Sequence, residues 1–232
     1  MVTKNGQHSK KNKNDNVIYF ICSTLKWKIL NGQYSVGERI TEQSVAEQLH
    51  VSRNSVRTAF IKLKEEGLLT DDKIRGVVVK SISIKEANEI IDMRILLETY
   101  AVKQAINHIR DDQLDSMQVI LFSMENAIKN KDYELYSELN TRFHNIIYSS
   151  TSNDLIQNLL LKLKTKMLRY QFKVAYIPGR AEKSYKEHTA IYDAIVKKDP
   201  VLAERAITDH MESLRSCVVN NKEILEIKEV VK

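Results

Sequence analysis

Apolar residues recur at helical spacing along most of the chain. Val17, Ile18, Ile21, Leu25 and Ile29 form one stripe, and Gly32 behind it suits a helix C-cap. A polar loop with Gly37 follows. Thr41 is a candidate N-cap for a short helix through Leu49, and His50 with Val51 forms a tight turn. Ser52 then caps a second helix, with Val56, Phe60 and Leu63 as its apolar face and Gly67 as its stop. Two short helices joined by a tight turn form the helix-turn-helix layout. Leu68 and Leu69, a polar turn, and Val77 to Val79 read as a wing-like hairpin with Arg75 at its tip.

Beyond Lys80 the period is helical throughout. Ser83 with Glu86 forms a capping box that opens a long helix through about Ile109. Asp111 or Asp112 starts another to about Lys129, and Asp132 a third to about Ser150. Asn153 begins a fourth, which ends before Pro178-Gly179, and a fifth runs from about Arg180 to Lys197. Asp199, followed by Pro200 in the first helical position, opens the sixth. Short loops between long helices imply antiparallel neighbours. The expected fold is mainly α: an N-terminal winged helix-turn-helix, then an all-α antiparallel helical bundle. Its expected parts are a disordered basic tail (1–15), a winged helix-turn-helix domain (16–80), a helical domain (81–222) and a short tail (223–232).

Composition narrows the function. Only 6 Gly and 2 Pro among 232 residues exclude collagen-like and turn-rich all-β architectures. The longest wholly apolar run, Val17 to Cys22, falls far short of the ~18–20 residues of a membrane span. The basic amino terminus lacks the apolar core and cleavage site of a secretory signal. Cys22 and Cys217 have no metal-finger spacing and read as reduced packing residues of a cytoplasmic protein. The net charge of +6 is unevenly spread: residues 1–80 carry 14 Lys and Arg against 8 Asp and Glu, while the rest of the chain is balanced. One domain is therefore expected to meet a polyanion.

Two groups of residues carry chemistry. Arg53 and Arg57 are four apart on one face of the second short helix, opposite Val56, Phe60 and Leu63. In a helix-turn-helix the amino-terminal end of that helix enters the major groove. Arginine there can give two hydrogen bonds to guanine O6 and N7, and Ser52, Asn54 and Ser55 can reach phosphates or base edges. The second group is histidine. His188 and His210 lie on apolar stripes, each eleven residues from the turn at Asp199. In an antiparallel hairpin they stand at one level, roughly 16 Å from the turn. His144 shares a helix face with Asn140. A lone histidine on such a stripe is usually a satisfied core residue. Three imidazoles, one beside an amide oxygen, also suit zinc, nickel or a similar divalent ion.

At this point two resemblances become specific. Residues 29–69 and the wing ending in RGVVV resemble the winged helix-turn-helix of the GntR superfamily of bacterial transcription factors. The matching points are Gly32, Gly37-Glu38-Arg39, Glu42, Val45-Ala46, Leu49, Val51-Ser52-Arg53, Val56-Arg57, Leu63, Glu66-Gly67-Leu68 and Gly76. The resemblance implies DNA reading by Arg39, Arg53, Arg57 and the wing pair Arg75-Gly76. The sequence departs from the family where Asn54-Ser55 replaces the frequent Thr-Pro and Thr58-Ala59-Phe60 the frequent Glu-Ala-Leu. The remainder resembles the FCD effector-binding domain of the FadR subfamily. The segments that carry it surround Arg94, Leu97 and Glu98, then Phe143-His144 and Asn153, then His188, Asp199, Ala203 and His210. This resemblance implies a divalent transition metal held by Asn140, His144, His188 and His210. It also implies a small organic or sugar acid held there with help from Arg94.

The expected function is a ligand-responsive transcriptional regulator, a repressor that acts as a homodimer on a palindromic operator. A metal-dependent hydrolase is the alternative, since three histidines with a vacant position can activate water. No HExxH pairing supports it, and Glu187, next to His188, is expected to point off that residue's face.

Overall fold

The computed structural model of the chain describes residues 5–30 and 32–225, with side chains from Asp15 onward except those of 168, 169, 171 and 172. It falls into two compact units, one ending at Ser81 and the other starting at Ile82.

The first unit holds helices α1 (Asn5–Leu30), α2 (Glu42–Leu49) and α3 (Arg53–Glu65), then strands β1 (Leu69–Asp72) and β2 (Gly76–Val79). Ile21, Leu25 and Ile29 of α1 are buried with Val45, Val56, Ala59, Phe60 and Leu63. Each such side chain contributes roughly 1.5–3 kcal/mol by leaving water, and Phe60→Ala would cost about 3–5 kcal/mol. The caps lie where the sequence puts them: Thr41 accepts from the Ser44 amide and Ser52 from the Ser55 amide, both at 3.1 Å. His50 ends α2 in the left-handed region at φ 53°, so the chain turns at once into α3. The strands pair antiparallel from Leu69↔Val79 to Asp72↔Gly76. Gly76 supplies φ +80° at the start of β2, a value that costs other side chains about 1–2 kcal/mol. A third segment joins this hairpin. The Ile40 amide donates to the Val77 carbonyl at 2.9 Å, and the Val79 amide to the Glu38 carbonyl at 3.0 Å.

The sequence places a disordered tail through residue 15, yet α1 begins at Asn5. Its first turns contain no proline, and a single glycine, Gly6, weakens but does not stop a helix that Val17 onward anchors. Residues 1–4 of that expected tail lie outside the described residues.

The second unit contains six helices among the described residues: α4 (Ile84–His108), α5 (Asp111–Lys129), α6 (Tyr133–Ser149), α7 (Asp154–Ala175), α8 (Arg180–Val196) and α9 (Pro200–Asn220). Ser83, Asp132, Asn153 and Asp199 cap α4, α6, α7 and α9 through their side-chain oxygens. Gly179 precedes α8 at φ +77°, and this bend aims Arg180, the first residue of α8, inward. Helix α4 packs on α9 and α7, α6 between α5 and α7, and α8 against α9 and α5. The apolar faces meet in one core that includes Ile91, Met117, Phe143, Leu160, Ile191 and Ile207. That core also takes in Leu225, inside the stretch expected to be a tail from residue 223. The Leu225 amide bonds to the Asn221 carbonyl, and its fully buried side chain follows the apolar rule rather than the expected boundary. Residues 226–232 lie outside the described residues. Among the described residues no helix is long and apolar enough to cross a membrane.

Candidate functional site

In the first unit the amino-terminal end of α3 exposes Arg53, Asn54 and Arg57, with the two arginine side chains 64% and 60% accessible. Neither guanidinium is unattended. Arg57 Nε and Nη2 donate to the two oxygens of Glu42 at 2.9 and 3.0 Å, and Arg53 Nη2 lies 4.0 Å from the same carboxylate. Arg57 holds the Glu42 carboxyl below its ordinary range. Pairing of residues 38–40 with β2 carries Arg39 to the wing, and Arg39, Arg53 and Gly76 line one open cleft. Arg75 is fastened on the far side of the turn. Its Nη1 donates to the Gly37 carbonyl and its Nη2 to Asp72, each at 3.0 Å. Asp72 also accepts the amides of Ile74 and Arg75, and these bonds, the Arg75 side chain first, pull its carboxyl down to about 2. Ser52 stays exposed while capping α3. Ser55 is buried with its hydroxyl 2.8 Å from that of Ser52, so its side chain supports the cap instead of standing on the exposed face. Residue Ser55 lies one helical position past Asn54, and that rotation carries it inward.

In the second unit the four expected ligands meet. The rings of His188 and His210 stand 4.6 Å apart, as their equal distance from Asp199 requires. His188 Nε2 lies 3.2 Å from His144 Nε2 and 2.9 Å from Asn140 Oδ1. One ligand atom from each histidine falls within 4.8 Å of the others, and all three side chains are buried.

The other ring nitrogens explain the orientation. His188 Nδ1 lies 2.6 Å from the Ser184 carbonyl, one turn earlier on α8. His210 Nδ1 pairs with Glu187 Oε2 at 2.8 Å, and His144 Nδ1 faces Glu98 Oε2 at 3.2 Å. A ring nitrogen that meets a carbonyl or carboxylate carries the proton, which leaves Nε2 as a lone pair. This outer arrangement is the one that fixes metal-binding histidines. With the protons on Nδ1, it turns imidazole lone pairs and an amide oxygen toward each other. A cation fits that donor set.

The electrostatics agree. Burial pulls His144 down to about 3, although Glu98 opposes the shift, and burial with the neighbouring histidines pulls His188 well below its ordinary value. Both rings are therefore neutral near pH 7, the state that ligates. Glu98 is itself fully buried, which raises its pKa, but Arg94 and then His144 outweigh burial and hold it ionised. Arg94 Nε and Nη2 donate to Glu98 Oε1 at 2.9 and 2.8 Å, one turn apart on α4.

A cavity of about 20 Å³ lies against the cluster, lined by Arg94, Tyr136, Asn140, His144, Arg180 and His210 among others. That is room for an ion or a water. Arg94, expected from the sequence to help hold an acid, is on its wall. Arg180 Nε is buried with no hydrogen-bond partner among the described residues, while the Arg94 guanidinium lies beside the Tyr148 hydroxyl and the Tyr136 hydroxyl beside that of Ser184.

Four further residues stand around the histidines in roles the sequence reading did not assign. Glu98, Ser184, Glu187 and Arg180 surround the histidines, and only the i,i+4 spacing of Arg94 with Glu98 and of Ser184 with His188 gave a signal. Glu187 adds a partner that the spacing did not name. It does leave the face of His188, but its rotation about α8 aims it at α9, where it meets His210.

Family models match most of the chain. Residues 20–79 match "Bacterial regulatory proteins, gntR family" and residues 89–213 match the FCD domain. The chain is 31% identical over 207 residues to "Uncharacterized HTH-type transcriptional regulator YdhC" of Bacillus subtilis, across 86% of this chain and 91% of that one. It is 27% identical over 198 residues to "HTH-type transcriptional repressor RspR" of Escherichia coli, across 85% and 87%. It is 26% identical over 205 residues to the "Gluconate operon transcriptional repressor" of Bacillus subtilis, across 85% and 83%. The solved structure of E. coli McbR/YncC shares the fold, with a TM-score of 0.77 at 21% identity over 89% of this chain and 98% of that one. These relatives are transcriptional regulators, not enzymes, and the hydrolase alternative finds no support among them.

Proposed function

The chain belongs to the GntR family of bacterial regulatory proteins, with an FCD domain behind its DNA-binding unit, and on that premise we propose that it is a repressor whose hold on DNA is set by a small carboxylate bound at the histidine cluster. The observation that carries the proposal is the facing of His144 Nε2, His188 Nε2 and Asn140 Oδ1 beside His210, while the Nδ1 atoms of His188 and His210 meet oxygens and that of His144 faces Glu98. Asn140, His144, His188 and His210 would hold a divalent ion, and three nitrogens with one oxygen favour zinc or nickel. Such an ion supplies positive charge for a carboxylate. Arg94 would orient that carboxylate through the nitrogen it keeps free of Glu98. The cavity as it stands is too small for an organic acid, so an acid binds a more open arrangement, and this difference gives it leverage over conformation.

Arg53 and Arg57 would read base edges, Arg39, Asn54 and Ser52 the backbone or neighbouring bases, and Arg75-Gly76 would follow the wing into the adjacent groove. Ser55 would act through the cap. One recognition helix reads one half-site, so a homodimer on a palindromic operator completes the reading. DNA as the target puts its work in the cytoplasm. The gluconate-operon name of one relative supports an organic or sugar acid as the effector class.

Fluorescence anisotropy on a duplex that the purified protein selects from a random pool tests the proposal. The zinc-loaded protein should release the duplex on titration with at least one organic or sugar acid. The metal-stripped protein and His188→Ala should bind the duplex and ignore that acid. An acid response that survives in both would overturn it.

A further inference from the structure

Two buried relays meet at the cluster, and they are built alike. Arg94 pairs with Glu98, which faces His144. Arg180 pairs with Glu187 at 3.0 Å, which accepts from His210. Each arginine is neutralised by the glutamate that also orients a histidine. The relays therefore add N–H donors to the cavity but no net charge. A histidine that ligates through a ring lone pair adds no charge, and neither does the Asn140 amide.

The charge count then has a consequence. An ion held by Asn140, His144, His188 and His210 keeps its whole double charge, where an aspartate in place of Asn140 would cancel half. Residual charge inside a low-dielectric cavity is unfavourable, and one carboxylate removes only part of it. The arginine donors point the same way. Arg180 is 6% exposed and Tyr136 2%, both line the cavity, and Arg180 Nε has no partner among the described residues. Arg94 Nη1 stays free of Glu98 on its own relay. A ligand with one acidic group can satisfy one relay. It leaves a second buried guanidinium nitrogen without an acceptor, which proteins avoid.

We propose that the effector carries two anionic groups, with Arg180 and Tyr136 receiving the one that Arg94 does not. This rests on the ion-site reading above and adds to it a class of ligand, a dicarboxylate, and a residue that selects it. Arg180 acts here as a ligand-binding group, distinct from its pairing with Glu187.

Calorimetric titration of the zinc-loaded full chain with matched acids tests the proposal: propionate against malonate, butyrate against succinate, and valerate against glutarate. At least one diacid should bind about ten-fold or more tighter than its monoacid. Arg180→Lys keeps a cation beside Glu187 but removes Nε, and it should abolish most of that preference, read as the ratio of diacid to monoacid affinity in the zinc-loaded variant. Thermal unfolding of the zinc form checks that this variant is folded. Asn140→Asp lowers the charge of the loaded site and should also shift the preference toward the monoacids. Monoacids bound as tightly as their diacids by the wild type would overturn the inference and leave the ion site standing. An undiminished diacid preference in folded Arg180→Lys would overturn the role of Arg180. No acid of either kind bound by the zinc-loaded chain would overturn both this inference and the reading beneath it.

Discussion

Arg57 gives its Nε and Nη2 to the two oxygens of Glu42, so that edge of its guanidinium is occupied and Nη1 takes no part in the pair. The pair joins the first residue of α2 to the second turn of α3. It fixes which donors Arg57 can offer to a base. On the proposed reading of DNA by Arg57, Glu42 positions it for recognition.

Glu42→Gln should therefore have two opposite effects. Loss of a negative charge beside the DNA face should raise affinity for a scrambled duplex, and loss of positioning should lower discrimination for the selected one. Arg57→Ala should cost about 1–3 kcal/mol on the selected duplex if Arg57 makes a bidentate base contact. Anisotropy with both duplexes at fixed salt measures the ratio. A specificity ratio that is unchanged in Glu42→Gln would show that the ion pair does not govern reading.

The glutamates behind the histidines make a separate prediction. Glu98→Gln and Glu187→Gln keep the size of the side chain but remove the charge that orients and polarises His144 and His210. Such outer partners typically change metal affinity by about 10–100-fold. Competition with a chromogenic chelator should show weaker zinc binding in both variants. Wild-type affinity in both would mean that the histidines are positioned by packing alone.

Lys164 predicts a pH dependence. It is buried, donates to the Thr141 carbonyl at 3.2 Å and lies over the Tyr148 ring. Burial first, then Arg94, pulls its pKa from 10.5 to about 7, against the pull of Glu98. The unfolded chain keeps this proton up to about pH 10. Between those values the unfolded state binds more protons, so stability rises with pH from about 7 towards 10. Urea unfolding at pH 7 and pH 9 should show that rise in the wild type. Lys164→Met should be flatter and more stable at pH 7, and equal slopes in both proteins would contradict the assignment.

Assembly can be tested by sedimentation. The basic excess lies in the first unit and the rest of the chain is balanced, so the second unit is the one that two copies can bring together without repulsion. The full chain should sediment as a dimer, and residues 82–232 expressed alone should do the same. A monomeric second unit beside a dimeric full chain would move the contact to the DNA-binding unit.

Much of this structure was legible beforehand because it depends on local rules. Helix stripes, the caps at Ser52, Ser83 and Asp199, and the wing hairpin follow from residues close in sequence. The facing of His188 and His210 was legible too, since a hairpin converts equal distance from Asp199 into equal height. The partners behind the histidines were not. Glu187 reaches His210 only because α8 packs on α9 at a particular rotation, and Arg180 turns inward only because Gly179 bends the chain before it. Ser55 was misplaced for a similar reason, because the face it occupies depends on how α3 docks. Periodicity marks which side of a helix is buried but not which neighbour a side chain on its margin will meet.

Zinc titration of the metal-stripped, tag-free full chain tests the central claim most directly. The account predicts one ion taken up per chain, none in His188→Ala, and unchanged binding of the selected duplex by that variant. No uptake of zinc, nickel or manganese by the wild type, or equal uptake by His188→Ala, would contradict it and make the three histidines ordinary members of the core.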